Sequence, residues 1–366
     1  MSRRANFINY ILTILLTVAL VFLTVIICSN RYQVLLKDVI LFFIIGFIIS
    51  SFVCAFLHEL GHVILGKINK FNIVSMQFWF CKFYKKNGKL KFCFCRLDDS
   101  VGKTIMVAEN YDNLEKRFLN MTFGGILFSL LLALVGLIPI IIVSTPLWLY
   151  GVLSIFLPVG GYYFFGNALP TTDDGIKNDG AMIVGLKKND FASRVIISLL
   201  IIQSELYKGK SPSEIDEKYY FDLPQLPEDD LNFVALLNAR YSYYLDKRDY
   251  ENAKKVTSRL LSLEEYIPKS MMNVIKVDAL FDYCTFNRNE EKADDLTYEL
   301  EKFLNNVNTP ANLRAKWAYI LNILGEKANA EQFYKKAMKE AKKSQFLGLV
   351  KFETKLLDEL KDSITE

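Results

Sequence analysis

Four runs of nearly unbroken apolar residues stand out from the polar remainder of the chain, at about residues 8–28, 39–65, 121–144 and 146–166. About 20 apolar residues in a helix cross the hydrocarbon core of a bilayer, so each run predicts a spanning helix. Pro158, Gly160 and Gly161 predict a bend in the fourth. The first run follows Met-Ser-Arg-Arg, but no small-residue cleavage site comes after it, which predicts a retained helix rather than a signal peptide.

Between the second and third runs the period changes from helical to alternating. Residues 76–96 predict a β-hairpin around a two-residue Asn87-Gly88 turn of type I′. Pairing across that turn sets Trp79, Cys81, Phe83, Leu90, Phe92 and Phe94 on one face, with Lys82, Tyr84, Lys86, Lys89 and Lys91 on the other. Such a hairpin suits a membrane surface. Its edge could pair with an extended substrate segment, or the hairpin could simply cover the helices.

After Gly180 the pattern is helical and charged. Asp249-Tyr-Glu-Asn-Ala253 recurs loosely as Asn289-Glu-Glu-Lys-Ala293 and Glu326-Lys-Ala-Asn-Ala330, each marking the start of a second, shorter helix. The spacing predicts stacked helical hairpins of tetratricopeptide-like (TPR-like) kind, without the full consensus. Residues 196–202 are apolar but too short to span, so they predict a buried helix segment. The predicted fold is mostly α: a polytopic membrane domain of about four helices with a small β-hairpin over residues 1–185, then an all-α helical-repeat soluble domain over 186–366.

Composition agrees with this division. The apolar fraction is 52% and mean hydropathy is +0.19, with nearly all the excess before residue 166. A net charge of +4 gives no reason to expect nucleic-acid binding. Six cysteines in 366 residues show no disulfide-scaffold spacing. Basic residues set the orientation. Arg3 and Arg4 precede the first run, and Lys67, Lys70, Lys82, Lys85, Lys86, Lys89, Lys91 and Arg96 follow the second. Only Arg31 and Lys37 lie between the first and second, and none between the third and fourth. The positive-inside rule then predicts cytosolic N- and C-termini in a multi-pass protein, and composition and short loops point to a bacterial plasma membrane.

The chemistry concentrates at the end of the second run, in His58-Glu59-Leu60-Gly61-His62. Residues four apart share a helix face, so both imidazoles can reach one Zn2+ ion. They are the only histidines in the chain. Glu59 is placed to take a proton from metal-bound water. Ionisable groups at that depth are costly and predict function. A catalytic zinc needs a third protein ligand. With no histidine left it must be a carboxylate or a cysteine, and the charge-derived topology brings the loop after the fourth run to the same side. That loop holds Asp173, Asp174 and Asp179. Cys54 reads as packing, and Cys81, Cys93 and Cys95 as buried apolar thiols, because in a two-residue-turn register Cys81 faces away from the other two.

The His58–His62 motif, the Gly124-Gly125 pair opening the third run, and the Asn167-x-x-Pro170 loop leading to an Asp-Gly together resemble the site-2 protease group of intramembrane zinc metalloproteases (peptidase M50). The resemblance covers roughly the first half of the chain. H-E-x-x-H alone is shared by many metalloproteases, so the pairing with the loop carries the specificity. It implies a loop aspartate as third ligand, Glu59 as the group that activates water, Asn167 as a catalytic-site residue that helps position substrate, and a membrane-associated β region after the His-Glu helix. The chain departs from the family pattern in offering both Asp174-Gly175 and Asp179-Gly180. Asp179 is favoured because Asp179-Gly-Ala-Met-Ile183 matches an Asp-Gly followed by a helix; Asp174 is the alternative and Asp173 follows it. The expected partners are a membrane protein or peptide substrate, the lipid bilayer and a protein bound by the C-terminal repeats. A second function remains open: a membrane-anchored helical-repeat scaffold with a non-catalytic zinc site.

Overall fold

The computed structural model describes residues 3–86, 88–95, 101–173 and 176–365. Asn87, Arg96 and Asp174 lie outside them. Contacts divide the chain into two compact units, residues 1–193 and 194–366, eight residues beyond the 185/186 boundary suggested by the sequence.

In the first unit, α1 (Arg3–Tyr32), α2 (Leu36–Ile68) and α3 (Leu114–Ile141) are each long and apolar enough to cross a membrane. A fourth apolar stretch, Leu147–Ala168, also qualifies, as α4 (Leu147–Leu153) and α5 (Phe156–Ala168). The interruption falls at Ser154–Ile155, N-terminal to the predicted Pro158–Gly161 bend. The Leu157 N–H donates to the Ser154 carbonyl, so the helix restarts through a tightened turn ahead of the proline.

Burial in these helices is inverted relative to a water-soluble protein. Phe7, Leu15, Phe22, Leu41, Phe47 and Ile48 are exposed, while Thr13, Thr24, Ser50 and Ser129 are buried. Thr13 and Thr24 return their hydroxyl protons to the carbonyls four residues back, which satisfies them inside apolar surroundings. α2 crosses α3 at close range. A Cβ on Gly61 would overlap the Gly124 carbonyl, and one on Gly124 would overlap that of Gly61. Only a bare backbone on both sides allows this approach, which sets the imidazoles of α2 against α3.

The β region is a four-stranded antiparallel sheet, larger than the predicted hairpin. It comprises β1 (Phe71–Phe78), β2 (Cys81–Lys86), β3 (Lys89–Phe94) and β4 (Gly102–Ala108), in the order β3-β2-β1-β4. Lys86 pairs with Lys89, so the β2–β3 loop has two residues, as Asn87-Gly88 predicts. The predicted single strand from residue 76 instead breaks at Trp79-Phe80, where Trp79 takes a left-handed φ of 48° and turns β1 into β2. Cys81 and Cys93 face opposite sides, since Cys93 pairs with Lys82. Met76, Phe78 and Cys81 pack on Ala55 of α2, whereas Phe92 and Phe94 of the outer strand stay exposed.

The unit closes with a short ladder, β5 (Thr172–Asp173) and β6 (Ile176–Lys177), then α6 (Asp179–Lys188) and the start of α7 (Phe191–Lys208).

The second unit is all helical: the rest of α7, α8 (Lys218–Phe221), α9 (Leu231–Lys247), α10 (Tyr250–Leu261), α11 (Lys269–Cys284), α12 (Glu290–Glu299), α13 (Glu301–Asn306), α14 (Pro310–Asn322), α15 (Lys327–Ala341) and α16 (Leu347–Thr365). Asp249 and Asn289 cap α10 and α12 through their side chains, and Glu326 precedes α15, so each sequence repeat opens a helix, although α15, at 15 residues, is longer than α14, at 13. Their fifth residues, Ala253, Ala293 and Ala330, are buried, where a small side chain lets the paired helices close. Ile202 of α7 packs with Ile215, Tyr220 and Tyr243 as a buried segment.

Candidate metal centre

His58 and His62 lie one turn apart on the α2 face that meets α3, and each imidazole is oriented by a bond at Nδ1. His62 Nδ1 is 3.1 Å from the Met121 carbonyl, which can only accept, so this nitrogen carries the proton. His58 Nδ1 is 2.9 Å from the Ser129 hydroxyl. That hydroxyl donates to the Gly125 carbonyl at 2.9 Å, so it accepts from His58. Each imidazole thus turns its Nε2 toward the same point. Gly125 completes this wall, because a Cβ there would overlap His62 Nε2 and His58 Cε1.

Asp179 supplies the third donor. Its Oδ2 is 3.4 Å from His58 Nε2 and 3.3 Å from His62 Nε2, and the two nitrogens are 3.3 Å apart. Donors about 2.0–2.1 Å from one ion in tetrahedral array stand roughly 3.3–3.4 Å from each other. The triangle therefore fits a four-coordinate metal with one position left open. Asp179 Oδ2 is a buried atom whose nearest polar neighbours are the two Nε2 atoms. Three converging donor atoms of this kind could hold a cation. Burial works to raise the Asp179 carboxyl, but the imidazoles of His62 and His58 outweigh it and hold the group well below the usual carboxylate range. It is an anion at neutral pH. Among the described residues this is the one group of three or more His, Cys, Asp or Glu side chains able to hold a metal.

The position of Asp179 depends on its neighbour. Asn178 caps α6, its Oδ1 accepting from Ala181 N at 2.9 Å and from Thr171 N at 3.0 Å. Its Nδ2 donates to the carbonyls of Gly166 at 2.7 Å and Leu169 at 2.8 Å. One amide thus ties the end of α5, the loop and the first turn of α6 together, with Asp179 as the first helical residue. From α1, Asn6 exchanges both its amide bonds with the Thr172 backbone at 2.7 Å, and Asn9 donates to the Pro170 carbonyl at 2.6 Å.

Comparison of the chain with protein-family models, with curated proteins and with solved structures finds no match.

Of the predicted site residues, His58, His62 and Asp179 come together. Glu59 is beside them in sequence but turned about 100° around the helix. It is buried against the sheet, where the Thr104 hydroxyl donates to its Oε2 at 2.5 Å. Asn167 sits in the last turn of α5 and donates to the Tyr163 carbonyl at 2.9 Å. Among the described residues no bond joins it to the three donors. Cys54 is fully buried in the packing between helices. Asp174 falls outside the described residues. Sequence reasoning overlooked Ser129, Asn178 and Thr104. Ser129 had a signal, a hydroxyl in an apolar run four residues after Gly125. Asn178 had one too, an N-cap residue directly before Asp-Gly-Ala. Thr104 had none, because only the sheet brings it to α2.

Proposed function

We propose that the chain is an intramembrane zinc metalloprotease of site-2 protease type. It would hydrolyse peptide bonds of membrane-embedded or membrane-adjacent substrates near the cytosolic face of a bacterial plasma membrane. One observation carries this reading: three metal-donor atoms at tetrahedral spacing converge inside a bundle apolar enough to span a bilayer, with a buried glutamate next to one donor. A purely structural site is closed by four ligands and needs no such glutamate.

His58, His62 and Asp179 would hold the zinc. The ion would polarise a substrate carbonyl and acidify water. Glu59 would accept the proton of the attacking water and pass it to the leaving amine. Asn178 and Ser129 would keep the donor set in register. Asn167 would position the substrate backbone if its bond to Tyr163 is exchanged for one to the substrate. Helical substrates hide their peptide bonds, so the scissile segment must unwind. The helix pairs of the second unit, read as TPR-like, would bind a partner protein or recruit substrate.

The scaffold reading, with a non-catalytic zinc, draws its support from the strand that covers Glu59. The two readings separate on purified full-length protein in vesicles and on membrane peptide fragments from cells. The protease reading expects about one zinc per chain in both wild type and Glu59→Gln, with cleavage fragments from wild type only. Identical fragments from both would end the protease assignment.

A further inference from the structure

Strand β4 lies along α2 with alternate residues turned toward it. Gly102 and Thr104 meet Glu59, and Met106 meets Gly66, one stripe of the helix seven residues long matched by every second residue of the strand. A Cβ on Gly102 would overlap Glu59 Oε1, while the Thr104 hydroxyl donates to Glu59 Oε2. The strand is itself held firmly. It pairs with β1 from Phe71↔Ala108 to Phe78↔Gly102, and β1 is fixed to α2 through Met76 and Phe78. Register shifts between Ile73 and Ser75, and past that bulge Met76 pairs with Thr104.

We propose that Thr104 is a positioning residue for Glu59: its hydroxyl holds one carboxylate oxygen, and the bare backbone of Gly102 leaves the space the other occupies. This rests on the protease reading of the site. A glutamate side chain has three rotatable bonds, and burial alone does not choose among its rotamers. Proton transfer requires the base within about 2.6–3.2 Å of the proton's origin, and a misplacement of about 1 Å costs on the order of 100-fold. A donor on a separate, well-anchored element sets the carboxylate independently of α2. The three metal donors have their own supports at Ser129, Met121 and Asn178, so the metal site and the base are positioned by different parts of the fold.

The test uses full-length protein in vesicles with a fluorogenic single-span peptide. Thr104→Val keeps the shape and deletes the donor. It should lower kcat by about 10- to 100-fold with KM and zinc content unchanged. Thr104→Ser should recover most of the rate. Gly102→Ala, which pushes on the flexible end of Glu59 rather than on backbone, should lower kcat similarly. A wild-type kcat in Thr104→Val, or a loss that Thr104→Ser fails to restore, overturns the proposal. A second readout is independent of cleavage. Thr104→Val should lower the melting temperature in the wild-type background and leave it unchanged in a Glu59→Ala background. Equal shifts in both backgrounds overturn the Thr104–Glu59 coupling even if the protein cuts nothing, and unequal shifts uphold it. Failure of the protease reading shows separately, as identical cleavage by wild type and Glu59→Gln.

Discussion

Arg314 in the helical unit and the His58–His62–Asp179 group in the membrane-type unit are both largely withdrawn from water, yet only the first is built around a permanent cation. Arg314 is 2% exposed, with Asp278 at 3.0 Å, Glu353 at 2.8 Å and the Phe281 ring beneath its guanidinium at 4.5 Å. A permanent cation sits between two carboxylates, so ions of opposite sign are supplied by the protein itself. The second group sets two imidazole nitrogens and one carboxylate oxygen within 3.3–3.4 Å of one another. Depth of burial is the same kind of observation in both places. The kinds of group decide between an internal brace and a site that could hold an ion.

That contrast predicts opposite consequences of mutation. The largest effect is expected for His62→Ala or Asp179→Asn. Either should take zinc from about one ion per chain to near none by elemental analysis, because two remaining ligands do not make a catalytic-type site. The fold of the second unit should be unaffected. Next in size, Arg314→Met strands two buried carboxylates and should destabilise the second unit by about 3–5 kcal/mol in chemical denaturation, while zinc content stays at the wild-type level. Zinc loss in this variant would mean that the two networks are coupled and that the comparison is wrong.

The smallest effect concerns pH. Burial lifts the Asp282 carboxyl to about 7, against the opposing bond from the Tyr241 hydroxyl, and lifts Asp278 to about 6 against the pull of Arg314. A folded-state value above the unfolded one means that the folded protein keeps a proton the unfolded chain releases. That stability is full below about pH 4 and is lost as pH rises through 6 to 7. Asp282→Asn should flatten the fall in melting temperature between pH 5 and 7. An unchanged slope would show that Asp282 does not carry the proton.

The spanning helices, the two-residue hairpin turn and the starts of the paired second helices were legible because each depends on local pattern: run length, period and capping residues. The full sheet was not. β1 and β4 are separated by the β2–β3 hairpin, and nothing local in either strand announces its partner. The metal motif was legible at His58 and His62, where helix geometry alone puts two donors together. The third donor was legible only as a choice among loop aspartates, and the break in the fourth apolar stretch falls one turn before Pro158, at the Ser154 carbonyl that the proline cannot satisfy.

What the sequence determined by itself was the long apolar helices, the hairpin turn and the two donors one helical turn apart, since spacing along a single element needs no tertiary information. Tertiary structure decided the rest. Asp179 reaches the imidazoles because Asn178 clamps three segments and because Gly61 and Gly124 let two helices touch backbone to backbone. Thr104 reaches Glu59 because a sheet folds over the helix. Such contacts join residues some 45 to 120 positions apart, and a chain encodes them only through the packing of everything between.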